Sequence, residues 1–209
     1  MMTPVEIIPL FSVPLYRSTM TISDDVKRSA RDLEYSRIDA GNGYQSVNTR
    51  VLDTPEFKYI KSEILSQVDF FSRQLCVSPS VTFKLTNSWV MRHDRGDWAQ
   101  EHSHTNSLLS GIVYLDTDGT TGDINFNSRS NIFPAAIDIE FSGYNIYNSK
   151  GWTITPHSGD VLIFPSTLLH SVSENTCNNG RYCLSFNMFV DGELGMVKDS
   201  INRLSVKSC

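Results

Sequence analysis

From Val81 to Asp116 the chain reads VTFKLTNSWVMRHDRGDWAQEHSHTNSLLSGIVYLD. Apolar and polar residues alternate through VTFKLTNSWVM. Then come a turn signal, HDRGD, and LLSGIVYLD, which is dense in β-branched and aromatic residues. A period of two puts successive side chains on opposite faces of a strand, whereas a helix would need 3.6. The pattern continues downstream in DINFN, GWTITP, DVLIFP, HSVSE and RYCLSFNMFV. Short strands between turn signals, with no helical segments among them, predict a two-sheet sandwich or jelly roll and not alternating βαβ units.

Upstream the period changes. Ser23-Asp24-Asp25 is a capping signal, and the stretch to Tyr35 puts Val26, Ala30 and Leu33 on one helical face. Pro55 stands at a first helical position, and Phe57, Ile60, Ile64, Val68, Phe71 and Leu75 follow at the three- and four-residue spacing of an amphipathic helix ending near Cys76. GNGYQS between these helices reads as loop, and the tail MVKDSINRLSV reads as one closing helix. The expected layout is a single domain over 1–209: a mostly helical flank over 1–80, a jelly-roll core over 81–190 and a tail over 191–209. The fold class is mainly β with flanking helices.

A chain of 209 residues can bury about 70% of its unfolded surface, enough for a core without staples. Hydrophobic residues at 40% and charged residues at 20% exclude a disordered or collagen-like chain. The net charge of −5 argues against a general nucleic-acid or anionic-membrane surface. No apolar run reaches membrane-spanning length, and the N-terminal stretch lacks a basic region and is broken by Pro4, Pro9 and Pro14. The expectation is a soluble, cytoplasmic protein. Cys76, Cys177, Cys183 and Cys209 form no CxxC pair, so reduced thiols are expected and a zinc site built on them is not.

The histidines carry the chemical signal. His102 and His104 form an H-x-H, and on an extended segment both imidazoles point to one side. His170 follows GDVLIFPSTLL and can lie on a neighbouring strand. Three converging neutral imidazoles suit iron, zinc, copper or nickel; the alternative is an exposed or core-satisfied pair with His170 unrelated. His93 and His157 sit beside turn residues (HDRGD, PHSGD) and read as surface. Arg181 opens the apolar strand RYCLSFN, where an unpaired guanidinium would be costly. A dicarboxylate held by bidentate hydrogen bonds would pair it, and so would one of the chain's own acids. Tyr114 can add a phenolic donor to the same carboxylate or serve as ordinary core.

H-x-H, then SGIVYL, then GDVLIFPSTLLHSV, then an arginine resembles the 2-oxoglutarate/Fe(II)-dependent dioxygenase superfamily. The likeness is greatest to the oxygenases of bacteriophages and marine bacteria. PLFSVPLY, NSWV, SFN and GELG extend it over nearly the whole chain. The resemblance implies a double-stranded β-helix, cupin-like jelly roll. It also implies an enzyme that uses Fe(II) and 2-oxoglutarate to hydroxylate a small molecule or protein side chain, releasing succinate and CO₂, in a bacterial or phage-infected cytoplasm. It assigns His102 and His170 to the metal and places His104 where most of the superfamily has an aspartate. Arg181 becomes the partner of the far carboxylate of 2-oxoglutarate, with Tyr114 assisting. Ser110 and Asn187 occupy familiar positions. Arg181-Tyr182-Cys183 stands where many relatives have R-x-S. If His104 turned away, Glu101, Asp116, water or a halide would have to replace it. NSRSNIFPAAIDIEFSGYNIYNSKGW, from Asn127 to Trp152, is expected to border the site. Two other readings fit the residues themselves. One is a cupin-like metal enzyme without 2-oxoglutarate; the other is a non-catalytic jelly-roll module of a phage.

Overall fold

A computed structural model describes residues 6–10, 12–38, 43–128, 140–195 and 204–207. Two antiparallel sheets face each other. Seven strands of the larger run in the order β1 (Tyr16–Thr19), β9 (Asp160–Pro165), β6 (Leu109–Asp116), β11 (Arg181–Leu194), β4 (Val81–His93), β3 (Tyr44–Ser46), β2 (Tyr35–Arg37). An eighth, β12 (Leu204–Val206), pairs with the far end of β11. The smaller sheet is β5 (Ala99–His102), β10 (Leu169–Val172), β7 (Ile124–Asn127), β8 (Gly151–Ile154). This is a jelly roll, mostly β, with two α-helices on the outer face of the larger sheet.

Alternation explains the layering. On β6, β9 and β11 one set of side chains (Val113, Leu115, Val161, Ile163, Leu184, Phe186) packs under the helices α1 (Asp24–Arg31) and α2 (Lys58–Gln74), through Val26, Ala30, Ile60, Ile64, Val68 and Phe71. The other set (Ile112, Tyr114, Leu162, Phe164, Cys183) points between the sheets and meets Ile124, Phe126 and Ile154 of the smaller one. Gly111 lies opposite Phe186 on β11. A Cβ there would stand 2.2 Å from the Phe186 ring, inside a core with no room to move, so the SGIVYL stretch needs glycine at this point.

Ser23 caps α1 through Oγ, which accepts from the Val26 amide, as the capping signal predicts. The helix stops at Arg31 and not near Tyr35. The Asp32 amide closes on the Arg28 carbonyl, and the Tyr35 hydroxyl donates to the Ala30 carbonyl as the chain turns into β2. The second helix begins with a 3₁₀ turn at Pro55 and ends with Cys76 in a left-handed conformation (φ 56°), which leaves Leu75 partly exposed. Tyr44–Ser46, expected as loop, is strand β3, because β2 and β4 flank it and satisfy its backbone. The tail departs from the expected helix as well. Leu204–Val206 pairs with Gly192–Leu194, while 196–203 lie outside the described residues. Cys76, Cys177 and Cys183 are free thiols. Among the described residues no helix is long and apolar enough to cross a membrane.

Candidate metal and anion site

The inward faces of the two sheets enclose a cavity of about 360 Å³. Cross-strand register decides what lines it. On β4 and β11, Arg181 pairs with His93, Cys183 with Met91 and Ser185 with Trp89; across β11 and β6, Cys183 pairs with Tyr114 and Ser185 with Ile112. Directly opposed residues share a face, so all eight side chains look inward. Facing them is the smaller sheet, where His170 of β10 pairs with His102 at the end of β5.

His102, His104 and His170 come together, with their candidate ligand atoms all within 4.8 Å of one another. His104 Nε2 and His170 Nε2 are 3.3 Å apart, and the two rings are parallel within 3°. Two backbone contacts orient the set. His102 Nδ1–H donates to the Gln100 carbonyl (2.8 Å) and His170 Nδ1–H to the Leu168 carbonyl (2.9 Å). Each bond fixes a tautomer and leaves Nε2 with its lone pair free, the arrangement a metal-binding imidazole needs. Burial, reinforced by the neighbouring His102, pushes His104 and His170 down to about 4, so both rings are neutral at ordinary pH. Trp89 packs against His104, and Phe164 meets His170 edge to face. These rings keep the cluster dry on two sides.

The stand-ins for His104 do not converge on the cluster. Glu101 alternates away from His102 and accepts from Asn127 Nδ2. Asp116 lies on the helix side of the larger sheet, paired with Arg31 and Lys27. His104 itself is held by its backbone, whose amide donates to the Ser166 carbonyl (2.9 Å). Ser166 continues into a buried chain. Its Oγ donates to Ser107 Oγ and lies 2.8 Å from Ser110 Oγ, which in turn donates to Asn187 Oδ1 (2.7 Å). Ser110 and Asn187 thus tie β6 and β11 to the loop that presents His104. Ser166 was legible in the sequence only as part of FPS, with nothing to show that it anchors a candidate ligand.

Arg181 is 1% exposed and has no acidic partner among the described residues. Its Nη1 donates to the carbonyls of Thr121 (3.1 Å) and Gly122 (3.0 Å), whereas Nε and Nη2 have no partner. Those two N–H groups form one edge of the guanidinium, the fork that takes both oxygens of a carboxylate. Among the described residues, the salt bridge that would have made this arginine structural is absent. Tyr114 is buried beside it, and burial pushes its phenol up, so it remains a donor. Burial also pushes the Cys183 thiol up; it lines the cavity as a protonated thiol. His157 is exposed, as expected. His93 is not. It is 2% exposed and faces the cavity, because the strand runs through His93 before the turn begins. Of the aromatic-rich segment expected to border the site, residues 129–139 lie outside the described residues.

Residues 87–187, which span every side chain of the site, match the family model described as "Putative 2OG-Fe(II) oxygenase". Among curated proteins none matches the chain. Solved structures share the fold at low identity. The non-heme alpha ketoglutarate dependent epimerase SnoN from nogalamycin biosynthesis aligns with a TM-score of 0.62 at 15% identity, covering 94% of this chain and 91% of that one. A prolyl-4-hydroxylase of Pseudomonas putida aligns at 0.55 and 12%, covering 86% and 94%. HygX of Streptomyces hygroscopicus, solved with nickel, 2-oxoglutarate and hygromycin B, aligns at 0.52 and 13%, covering 84% and 82%. The fold, the family match over residues 87–187 and the placement of the histidines and the arginine agree, and that segment of the chain matches the 2OG-Fe(II) oxygenase family.

Proposed function

We propose that this protein binds Fe(II) through His102, His104 and His170, and 2-oxoglutarate through Arg181 and Tyr114, to hydroxylate a small molecule or protein side chain. The observation that carries the reading is Arg181: a buried guanidinium with an empty bidentate edge, in the same cavity as the three imidazoles. Two or more buried N–H groups without partners cost more than a folded core ordinarily tolerates, and a carboxylate ligand satisfies them. The donor set fits the metal as well, since neutral imidazoles with a free Nε2 suit Fe(II). Bound together, Fe(II) and 2-oxoglutarate supply dioxygen activation: one oxygen atom goes into succinate as CO₂ leaves, and the other goes to the substrate C–H bond.

The chain's own residues do the rest. Arg181, clamped by the Thr121 and Gly122 carbonyls, holds the far carboxylate in a fixed orientation, and Tyr114 donates to it. Ile112, Phe164 and Trp89 wall the cavity against water. Strands from near both ends of the chain, β1 and β12, lie in the larger sheet, and the two sheets share one inter-sheet core, which supports taking 1–209 as a single oxygenase domain. The free thiols and acidic balance support a cytoplasmic setting without nucleic acid. Structures of the same fold solved with nogalamycin RO and with hygromycin B favour a small-molecule substrate.

The direct test is succinate release with Fe(II), 2-oxoglutarate, ascorbate and dioxygen, alongside anaerobic calorimetry of 2-oxoglutarate binding. Neither binding nor succinate release by the iron-loaded protein would sink the reading. A sharper test concerns His104, which leaves the metal one positive charge richer than an aspartate would. His104→Asp is expected to keep iron at wild-type stoichiometry, because carboxylate and imidazole both suit Fe(II), and to weaken 2-oxoglutarate by a few-fold through added negative charge. His104→Ala is expected to lose most of its iron in chloride-free buffer. Full occupancy in His104→Ala without 2-oxoglutarate would remove His104 from the ligand set.

A further inference from the structure

We propose that His93 is a third donor to the far carboxylate of 2-oxoglutarate, completing a cradle with Arg181 and Tyr114; this rests on the 2-oxoglutarate reading above. His93 is buried, with a relative exposure of 2%, yet neither Nδ1 nor Nε2 has a hydrogen-bond partner. A histidine buried for packing alone finds a partner for its ring nitrogens in nearly every fold, so two orphaned nitrogens require an occupant of the space they face. That space is the cavity, which His93 lines. Its direct cross-strand neighbour is Arg181, the other buried side chain with unpartnered nitrogens among the described residues. Opposed residues on antiparallel strands have Cβ atoms about 5 Å apart, within reach of one shared ligand group.

The chemistry of the shared group follows from what is present and what is not. Among the described residues lining the cavity there is no carboxylate, and Arg181 is the one permanent cation. Burial first, and then the Arg181 charge, pushes His93 down to about 3, so the ring is neutral and offers one N–H. A carboxylate accepts about four hydrogen bonds. The Nε and Nη2 fork of Arg181 supplies two, the Tyr114 hydroxyl a third and the His93 N–H the fourth. The ring is also seated from behind: a Cβ at Gly43 (φ +75°) would come within 2.9 Å of His93 Cδ2, and the His93 carbonyl accepts from Asn175 Nδ2 (3.1 Å). His93 is thereby aimed by the fold and not by a partner for its nitrogens.

The experiment is calorimetric titration of the Mn(II)-loaded protein, so that binding is read without turnover. Two ligands are compared: 2-oxoglutarate, and 2-oxopentanoate, which keeps the keto acid and chain length but ends in a methyl group. His93→Leu is expected to weaken 2-oxoglutarate about 10- to 100-fold, the range for a hydrogen bond to a charged group, and to leave 2-oxopentanoate and Mn(II) within about twofold of wild type. His93→Gln, which keeps an N–H donor, is expected to recover most of the loss. Should His93→Leu fail to fold, His93→Gln against His93→Met carries the same comparison. Equal loss for both ligands, or unchanged 2-oxoglutarate affinity in the apolar variant, would overturn the proposal. Failure of wild type to bind 2-oxoglutarate at all would instead overturn the reading beneath it.

Discussion

Arg181→Ala should weaken 2-oxoglutarate binding by roughly 30- to 5,000-fold while leaving metal content at the wild-type level. Truncating one partner of a buried, hydrogen-bonded charge pair costs about 2–5 kcal/mol, because the remaining charge stays in a site that no longer compensates it. The effect should fall near the upper end here, since Arg181 is fully buried and no other cation lines the described cavity. Arg181→Lys should recover only part of the loss. Lysine restores the charge but not the planar edge, and it cannot keep the Thr121 and Gly122 contacts while offering two parallel donors. Metal analysis and calorimetry on the same samples decide between roles. Metal lost in step with 2-oxoglutarate would mean that Arg181 supports the fold and is not a ligand anchor.

The second large effect is on the metal. His102→Ala and His170→Ala should each lower metal affinity by more than about 100-fold, with near-wild-type circular dichroism. Loss of an outer partner of a metal-bound histidine already costs about 10- to 100-fold, and loss of the ligand itself must cost more. The fold should survive because both residues sit on the short strands of the smaller sheet, away from the core beneath α1 and α2. Iron stoichiometry after gel filtration reads the outcome. Unchanged occupancy in either variant would dissolve the three-histidine assignment.

What the sequence made legible was periodic or chemically costly. The strands from Val81 onward announce themselves by β-branched and aromatic residues between turn signals. Those at the centre of the larger sheet pack one face against the helices and the other against the second sheet, whereas the smaller sheet turns one face inward. His102, His104 and His170 could be paired in advance, since H-x-H on an extended segment and a histidine after FPS need only neighbouring strands, and β5 and β10 are neighbours. Arg181 was legible because a guanidinium opening an apolar strand raises the question of its partner. His93 departs from its surface reading for a local reason. HDRGD reads as a turn, but the pairing of His93 with Arg181 carries the strand two residues past Met91 and turns the ring inward. Short strands such as Tyr44–Ser46 and Leu204–Val206 exist only because an adjacent strand offers unpaired backbone groups, a tertiary cause with no local signature. The Thr121 and Gly122 carbonyls that clamp Arg181 are main-chain atoms, which composition never displays.

The cavity lining, as described, holds one permanent cation and no anion, inside a chain whose net charge is −5. A dianion approaching through solvent therefore meets a repulsive far field before it reaches an attractive near one. Dissolved ions screen beyond about 8 Å at physiological strength, so they erase the outer repulsion and hardly touch the buried contacts. Adding salt should speed the entry of 2-oxoglutarate and leave its escape nearly unchanged, the reverse of the behaviour of proteins that draw anions in with a basic surface.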